Sequence, residues 1–317
     1  MAPDLNQPTL SELYPKLDDF QPVPDSVYVF GTTPEERSAH SQDWENRATG
    51  VEFIRLAEEI DNVAKFTWNG EEASLTLRNS AALREFWSNF SGRVFYLDIT
   101  GLGHHVWAPL LRAAGEVGGD IRVVYVEPTD YTQSAAPTEG EIFDLSEKIT
   151  GIAPLPGFAS FRIAPEDDFV LVALLGFEGT RFAYLLEMVQ PPADHVIPLV
   201  GAPGFRPEYP FYAYHGNQSP LLDTRGWAAV KYVTANCPFQ MFATLKEIED
   251  SASAPIKIAP IGTKPHSLGA ILYAISRQGD VELVYDHPVR TAKRTRGASR
   301  ALIYHVSSLM VPSATVA

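Results

Sequence analysis

The chain has 317 residues, which is about two domains' worth at roughly 100–200 residues per domain. Its composition, 45% hydrophobic and 20% charged, excludes a disordered or fibrous protein. The net charge of −14 argues against nonspecific binding to duplex DNA or anionic membranes, because both surfaces are negative. The single cysteine, Cys237, excludes an internal disulfide framework and a cysteine-built zinc site.

The sequence contains no segment typical of a signal peptide or a transmembrane helix. Its first residues, MAPDLNQP, are acidic and poor in apolar side chains. The longest apolar run, which starts at Phe169, is too short to span a bilayer. We therefore expect a soluble, cytoplasmic protein with no membrane partner.

The first half of the chain predicts alternating strands and helices. Residues 1–25 contain five prolines and are expected to form an arm that docks on the first lobe or frays. Asn69 and Gly70 indicate a hairpin turn between short strands. The other predicted elements are strands 27–30, 93–99 and 121–126 and helices 35–56, 81–90 and 104–114.

The second half predicts the same alternation. Its elements are strands 169–175, 195–200, 256–260 and 281–285 and helices 181–189, 226–236, 238–249 and 265–276. Strand–helix–strand units with short connections predict parallel sheets covered by helices. The Pro- and Gly-rich stretch before residue 168 suggests four segments. They are the arm (1–25), a first lobe (26–150), a linker (151–167) and a second lobe (168–310) that ends in a basic tract.

The two halves resemble each other in sequence. Residues 99–111 align with 260–272 without a gap, and the flanking alignments pair Gly31 with Gly176, Arg37 with Arg181 and Tyr125 with Tyr285. The predicted fold class is α/β, with two Rossmann-like lobes that arose by internal duplication and are related by pseudo-twofold symmetry. The alternative is chance similarity between two ordinary strand–helix–strand units.

The segment 261–266 is the strongest candidate for a ligand site. It follows a strand and opens a helix, where free N–H groups and the helix dipole favour an anion. Gly262 allows close backbone approach, Thr263 can cap the helix, Lys264 supplies a positive charge, and His266 lies in the first turn. The segment is not a Walker A loop. The alternative is an ordinary capped turn with an exposed lysine.

Further ligand contacts are expected at strand ends, because ligands of open α/β sheets bind there. Gly101 and His104 occupy the equivalent first-half loop, which has no lysine. Arg37 and Arg181 are suited to bidentate contacts with phosphate or carboxylate. Alternatively, these arginines form ion pairs with the neighbouring acids Glu35, Glu36 and Glu178.

Two other segments carry candidate ligand-binding or catalytic side chains. The stretch 204–215 is rich in aromatic residues, and Tyr212 within it is a candidate for stacking on a base. The alternative is a loop that packs its own rings. Asp286 and His287, which follow a strand, are the best acid–base candidates, with His266 as a third. No metal site or cofactor is predicted.

The sequence Ile261-Gly-Thr-Lys-Pro-His-Ser-Leu-Gly-Ala resembles the Thr-Gly-Gly-Thr-Lys motif of CARF domains. These are Rossmann-like sensors of cyclic oligonucleotides in prokaryotic defence proteins. Gly262, Thr263 and Lys264 match the motif, whereas Pro260 and Ile261 depart from it. The resemblance implies a nucleotide sensor, and an internal duplication would provide within one chain the pocket that CARF proteins form as dimers.

These observations favour a protein that binds a nucleotide or another phosphorylated ligand, with cyclic oligonucleotides among the candidates. No effector domain remains after both lobes are assigned, so output is expected through a protein partner or a homo-oligomer. The basic tract, Arg290 to Arg300, is one surface for such a partner. One alternative is a phosphodiesterase-like or nucleoside-processing enzyme that uses Asp286 with His266 or His287. A second alternative is an assembly subunit of a defence complex that binds no small ligand.

Overall fold

A computed structural model describes residues 10–138, 140–160, 168–192, 194–277 and 279–310. This part of the chain is a mixed α/β structure that separates into two compact units. Unit 1 contains the described residues up to 130 together with 295–310, and unit 2 contains those from 131 to 294.

The described residues form eight α-helices and twenty strands. The helices are α1 (Glu36–Arg47), α2 (Ser80–Ser88), α3 (His104–Val117), α4 (Gly179–Val189), α5 (Tyr209–Gly216), α6 (Gln218–Asp223), α7 (Pro238–Ser251) and α8 (Lys264–Ser276). The strands are β1 (Ser11–Tyr14), β2 (Ser26–Gly31), β3 (Val51–Ile60), β4 (Val63–Trp68), β5 (Glu71–Thr76), β6 (Val94–Asp98), β7 (Ile121–Val126), β8 (Asp130–Tyr131), β9 (Gln133–Thr138), β10 (Glu141–Phe143), β11 (Ser146–Ile149), β12 (Ala153–Pro154), β13 (Val170–Leu174), β14 (Val196–Gly201), β15 (Lys231–Val233), β16 (Ile256–Ala259), β17 (Glu282–Tyr285), β18 (Pro288–Arg290), β19 (Thr295–Arg296) and β20 (Ala301–His305).

Unit 1 is built on an eight-stranded mixed sheet in the order β1-β20-β7-β6-β2-β3-β4-β5. The four central strands, β7, β6, β2 and β3, are parallel, and the outer strands join them antiparallel. Every residue of β2 is buried, as expected for a parallel strand covered on both faces. One side of this core is aromatic, with Trp44 of α1 and Tyr28 of β2 in edge-on contact at 5.9 Å.

Unit 2 is built on a six-stranded sheet in the order β12-β17-β16-β13-β14-β15. Five of its strands are parallel, and β12 is antiparallel to β17. The predicted strand at 169–175 corresponds to β13, whose residues are all buried. Helix α8 is also almost wholly buried, from Lys264 to Ala274.

The parallel strands of the two units follow the same order, β7-β6-β2-β3 in unit 1 and β17-β16-β13-β14 in unit 2. In unit 1 the chain runs from β2 to β3 on one side and later returns to β6 on the other side of β2. In unit 2 it runs from β13 to β14 and later returns to β16 on the other side of β13. The strand order therefore reverses between β2 and β6 and between β13 and β16. Ligands of open α/β sheets bind outside the carboxyl ends of the strands at such a reversal.

Several elements differ from the sequence-based expectations. The helix predicted at 35–56 ends at Arg47, because Gly50 has φ +73° and the chain then enters β3, which pairs with β2. The helix predicted at 226–236 is a short 3-10 turn, Gly226–Ala229, followed by β15. The aromatic stretch is helical from Tyr209 as α5.

The division into units also differs from the predicted boundaries. Residues 301–305 were predicted to belong to the second lobe, but they form β20, which pairs antiparallel with β7 and belongs to unit 1. Part of the predicted arm forms β1, which pairs with β20. Residues 1–9 of the arm and 161–167 of the predicted linker lie outside the described residues. No helix in the described ranges combines the length and the apolar character needed to cross a bilayer.

Candidate ligand site at the carboxyl edge of the unit 2 sheet

The carboxyl ends of β13, β16 and β17 bring together six of the predicted site residues in unit 2. The loop after β13 leads into α4, which carries Arg181, and the loop after β16 leads into α8. The chain after β17 continues directly into Asp286 and His287. The remaining residues at this edge are Gly262, Thr263 and Lys264.

Two glycines hold the loops after β13 and β16 close together. A Cβ on Gly262 would lie 2.8 Å from the carbonyl oxygen of Leu175, and a Cβ on Gly176 would lie 3.0 Å from that of Ile261. Both distances are shorter than van der Waals contact allows. The backbone of Gly262 therefore packs against the neighbouring loop, and the sheet's reversal point is bounded by backbone on both sides.

The start of α8 is fixed by hydrogen bonds from Thr263. Its hydroxyl donates to the carbonyl of Ala235 at 2.8 Å and accepts from the backbone N–H of His266 at 3.3 Å. Pro265 occupies the first turn, where its missing N–H costs nothing. Lys264 is only 6% exposed. The sequence had suggested an exposed lysine as the alternative to a ligand site, and the structure buries it instead.

His266 is fully buried in the first turn of α8. One ring nitrogen, Nε2, lies 3.1 Å from the carbonyl of Thr234, which it reaches as a donor. Burial lowers the pKa of His266 to about 4, although hydrogen bonds that the ring donates to the backbone of Thr234 and Val233 act to raise the pKa. The ring is therefore neutral at physiological pH, and Nδ1 is a buried acceptor with no protein partner among the described residues.

Arg181 and Asp286 form a buried ion pair at this edge. Arg181 Nε and Nη2 each donate to one carboxylate oxygen of Asp286 at 2.7 Å, and Nη1 donates to the carbonyl of Ile261 at 3.1 Å. Burial alone would lower the pKa of Arg181, but the Asp286 carboxylate raises it above its ordinary value. Glu178 is a more distant partner at 3.9 Å. Arg181 therefore links the helix after β13 to the loop after β16 and to the end of β17.

His287 adopts a left-handed backbone conformation, with φ +43°. Its Nε2 lies 3.3 Å from the carbonyl of Ala153 in β12, and its ring meets that of Tyr285 edge-on. Asp286 is fully buried with both oxygens bound to Arg181. Of the three acid–base candidates, Asp286 and His266 are thus inaccessible to solvent in this structure.

Tyr212 belongs to an aromatic cluster within unit 2. Its ring lies edge-on to Phe143 at 5.3 Å and to Phe177 at 6.2 Å, and those two phenylalanines stack at 4.7 Å. Phe143 and Phe177 also line a cavity of about 280 Å³ beside the start of α4. The structure therefore places Tyr212 on a helix that packs against rings from other segments, and the predicted loop that packs its own rings does not form.

In unit 1, Arg37 occupies the position after β2 that Arg181 occupies after β13. Its Nε donates to Glu35 at 2.7 Å, and Nη1 donates to the hydroxyl of Tyr125 at 3.0 Å. The guanidinium carbon lies 5.6 Å from the centre of the Tyr125 ring. In unit 2 the Arg181 guanidinium lies 6.0 Å from the Tyr285 ring. Each arginine thus contacts the tyrosine at the end of the last parallel strand of its own unit.

Gly101 and His104 lie in the loop and first turn that follow β6. A Cβ on Gly101 would lie 1.7 Å from the carbonyl oxygen of Gly31, so the loop after β2 passes directly beside it. His104 is 6% exposed, with its ring 5.3 Å from Trp107. The adjacent His105 pairs with Glu59 at 2.5 Å.

The sequence did not identify the residues that hold these site groups in place. Ala235 and Thr234, which bind Thr263 and His266, lie on the segment after β15 about 30 residues earlier in the chain. Gly31 and Gly176 were aligned by the internal similarity, and that alignment was the only signal for their role. No group of three metal-ligating side chains occurs within the described ranges.

Comparison with known proteins supplies no family assignment. The sequence matches no protein-family model and none of the curated proteins.

Proposed function

We propose that unit 2 is a binding module for a nucleotide or another phosphorylated small molecule, held at the start of α8. A cyclic oligonucleotide is one member of this class, in line with the resemblance to CARF domains. The binding loop is Gly262, Thr263 and Lys264, and output passes to a protein partner.

The observation that carries this proposal is the chemistry of the loop. Among the described residues, no group accepts a hydrogen bond from the backbone N–H of Gly262 or Thr263, and both residues are only half-buried. These donors lie at the positive end of the 13-residue helix α8. The charge of Lys264 follows directly, in surroundings where burial strengthens electrostatic attraction.

We also propose that the two units arose by internal duplication as Rossmann-like lobes. Three features support this origin, of which the first two are the common order of the parallel strands and the pairing of Arg37 with Tyr125 and Arg181 with Tyr285. The close approaches of Gly31 to Gly101 and of Gly176 to Gly262 are a third. Unit 1 has no lysine in its loop, so the proposal assigns the phosphate contact to unit 2.

A binding role agrees better with the geometry than the hydrolytic alternative. A general acid or base must reach the proton that it transfers. Asp286 has no exposed surface, and both of its oxygens accept hydrogen bonds from Arg181. Asp286, an acid–base candidate of the enzyme alternative, therefore binds Arg181 through both of its carboxylate oxygens.

The test is a thermal-shift screen of the purified protein against nucleotides, dinucleotides and cyclic oligonucleotides. A ligand present at 100 times its Kd stabilises the folded state by about 2.7 kcal/mol. We expect one chemical class to raise the Tm, and Lys264→Met to abolish that shift. Lys246→Met, at an exposed position on α7, is the matched control and should retain it.

Two outcomes would overturn the proposal. One is that no ligand of the panel raises the Tm, and the other is that Lys264→Met binds the ligand as tightly as the wild type. Chromatography of the recovered ligand separates binding from catalysis. An intact ligand supports a binding module. Turnover that disappears in His287→Ala would instead establish the enzyme.

A further inference from the structure

Unit 2 carries a concentrated apolar surface that the proposed ligand site does not use. Four large apolar side chains are more than half exposed within 22 residues of sequence: Phe211 (74%), Leu222 (56%), Trp227 (60%) and Tyr232 (56%). Leu222 and Trp227 line a groove of about 260 Å³ together with Tyr214. The Tyr214 and Tyr232 hydroxyls are 2.5 Å apart. Phe211 lies one helical turn before Tyr214 on α5. We call these five residues the aromatic face.

The area of the aromatic face matches what one partner contributes to an ordinary interface. A large aromatic side chain buries about 150–250 Å² when fully covered, so the exposed fractions of these four side chains, with Leu222 treated alike, leave roughly 400–600 Å² of apolar surface. That is near the upper end of the patches found on monomers, about 300–600 Å². A standard interface takes about 800 Å² per partner, of which about 56–58% is apolar. The aromatic face therefore suffices for the apolar part of one such half-interface.

Strand β15 supplies a free edge beside the aromatic face. It is the outermost strand of the unit 2 sheet and pairs only with β14 among the described strands. The carbonyl of Val233 accepts a hydrogen bond from Ala202 at 2.9 Å, so the backbone of Val233 faces β14. Backbone polar groups alternate in direction along a strand. The N–H and C=O of Tyr232 therefore point away from the sheet.

We propose that a second copy of this chain docks on the aromatic face by antiparallel pairing of β15 with β15 across a twofold axis. The axis passes between the two copies of Tyr232, which exchange both N–H···O bonds as a hydrogen-bonded antiparallel pair does. A twofold interface uses the same patch on both subunits. The two unit 2 sheets would then form one continuous twelve-stranded sheet.

The register of this pairing is chemically compatible. Around the central tyrosines, Lys231 of each copy lies opposite Val233 of the other, so no like charges are directly opposed. The exposed turn that precedes β15 carries charges of both signs, on Asp223 and Arg225. A self-contact at this edge therefore avoids the repulsion that the net charge of −14 would cause at an acidic surface. An unpaired strand edge with exposed N–H and C=O groups is a template for such pairing.

The first measurement is the mass of the full chain by light scattering after size exclusion at micromolar concentration. We expect twice the 34.9 kDa mass of one chain. Tyr232→Pro removes the outward N–H and leaves the bonds to β14 intact, because proline is tolerated on an edge strand whose N–H faces solvent. It should yield a monomer. Trp227→Ser, which removes apolar area alone, should weaken the dimer in the same direction.

Met188→Ser is the matched control. Met188 is 54% exposed on α4 of the same unit and lies outside the aromatic face, so its loss should leave the dimer intact. Amide hydrogen exchange provides a second readout, since the Tyr232 amide should be protected in the concentrated protein and exchange rapidly on dilution. Circular dichroism verifies that each variant is folded. A monomeric wild-type protein, or a dimer that survives both Tyr232→Pro and Trp227→Ser, would overturn the proposal.

Discussion

Arg181 donates two parallel hydrogen bonds of 2.7 Å to the two carboxylate oxygens of Asp286, 105 residues later in the chain. Asp286 is fully buried and the arginine side chain is 11% exposed. The pair joins the helix after β13 to the end of β17, and a third bond ties the arginine to the loop after β16. A single guanidinium thus connects three of the strand ends at the candidate ligand site.

Removing the charge of Asp286 should destabilise the protein strongly. In Asp286→Asn the buried guanidinium of Arg181 loses its counter-charge, and such losses typically cost about 3–5 kcal/mol. We expect a loss in this range from the urea unfolding midpoint. The Arg181→Met/Asp286→Leu double variant should recover most of it, because neither member then leaves an unpaired buried charge.

The control for this pair is Arg84→Gln, which breaks the more exposed ion pair with Glu116 at 2.7 Å. Surface pairs contribute less than about 1 kcal/mol. If Asp286→Asn and Arg84→Gln cost the same, Arg181 and Asp286 do not behave as a buried pair in solution.

Gly101 and Gly103 give a second prediction because they lie in one loop with different neighbours. An alanine Cβ at position 101 would meet the carbonyl oxygen of Gly31 at 1.7 Å, and a backbone atom there cannot move without displacing β2. At position 103 the nearest atom is the tip of the His105 ring, which can rotate away. We expect Gly101→Ala to lower the unfolding free energy by at least the ~1–3 kcal/mol typical of overpacking.

Gly103→Ala should cost much less than Gly101→Ala in the same chemical unfolding experiment. Equal stability of the two variants would contradict the close approach of the loops after β2 and β6. Because the clash involves backbone, truncating a side chain elsewhere cannot relieve it.

Local pattern was enough to predict seven of the nine parallel strands, whereas β3 and β15 lie in segments that were predicted to be helical. The runs at β2, β13 and β16 are apolar and β-branched, which is how strands covered on both faces are recognised. The boundary between α1 and β3 was missed because the apolar residues within 48–56 follow neither a helical nor a strand periodicity clearly. Strand β20 was missed because its place beside β7 depends on a pairing across more than 170 residues, which no local window contains.

The candidate site shows the same limit. The internal similarity aligned Arg37 with Arg181, and each lies in the first turn of the helix that follows β2 or β13. Their partners come from distant parts of the chain, 88 residues away for Tyr125 and 105 for Asp286. Residue type alone could not distinguish an arginine that binds a phosphate ligand from one that forms an internal ion pair with a carboxylate.

The burial of His266 gives the last prediction, a pH dependence of stability. The pKa of His266 is about 4 in the folded protein because of burial, and its unperturbed value is 6.5. Between these values the unfolded chain binds a proton that the folded chain does not, so the unfolding free energy falls as pH falls. The full loss is about 3 kcal/mol, reached near pH 4.

The measurement compares chemical unfolding of the wild type and His266→Gln from pH 8 to pH 4. Glutamine can still donate to the carbonyl of Thr234 but does not titrate. Above pH 7 the difference between the two proteins should be constant, since the histidine is neutral in both states. Below pH 6.5 the wild type should lose stability faster, and the difference should shift by about 3 kcal/mol in favour of the variant. Parallel curves over the whole range would mean that the ring is accessible to protons in the folded protein, which the buried first turn of α8 does not allow.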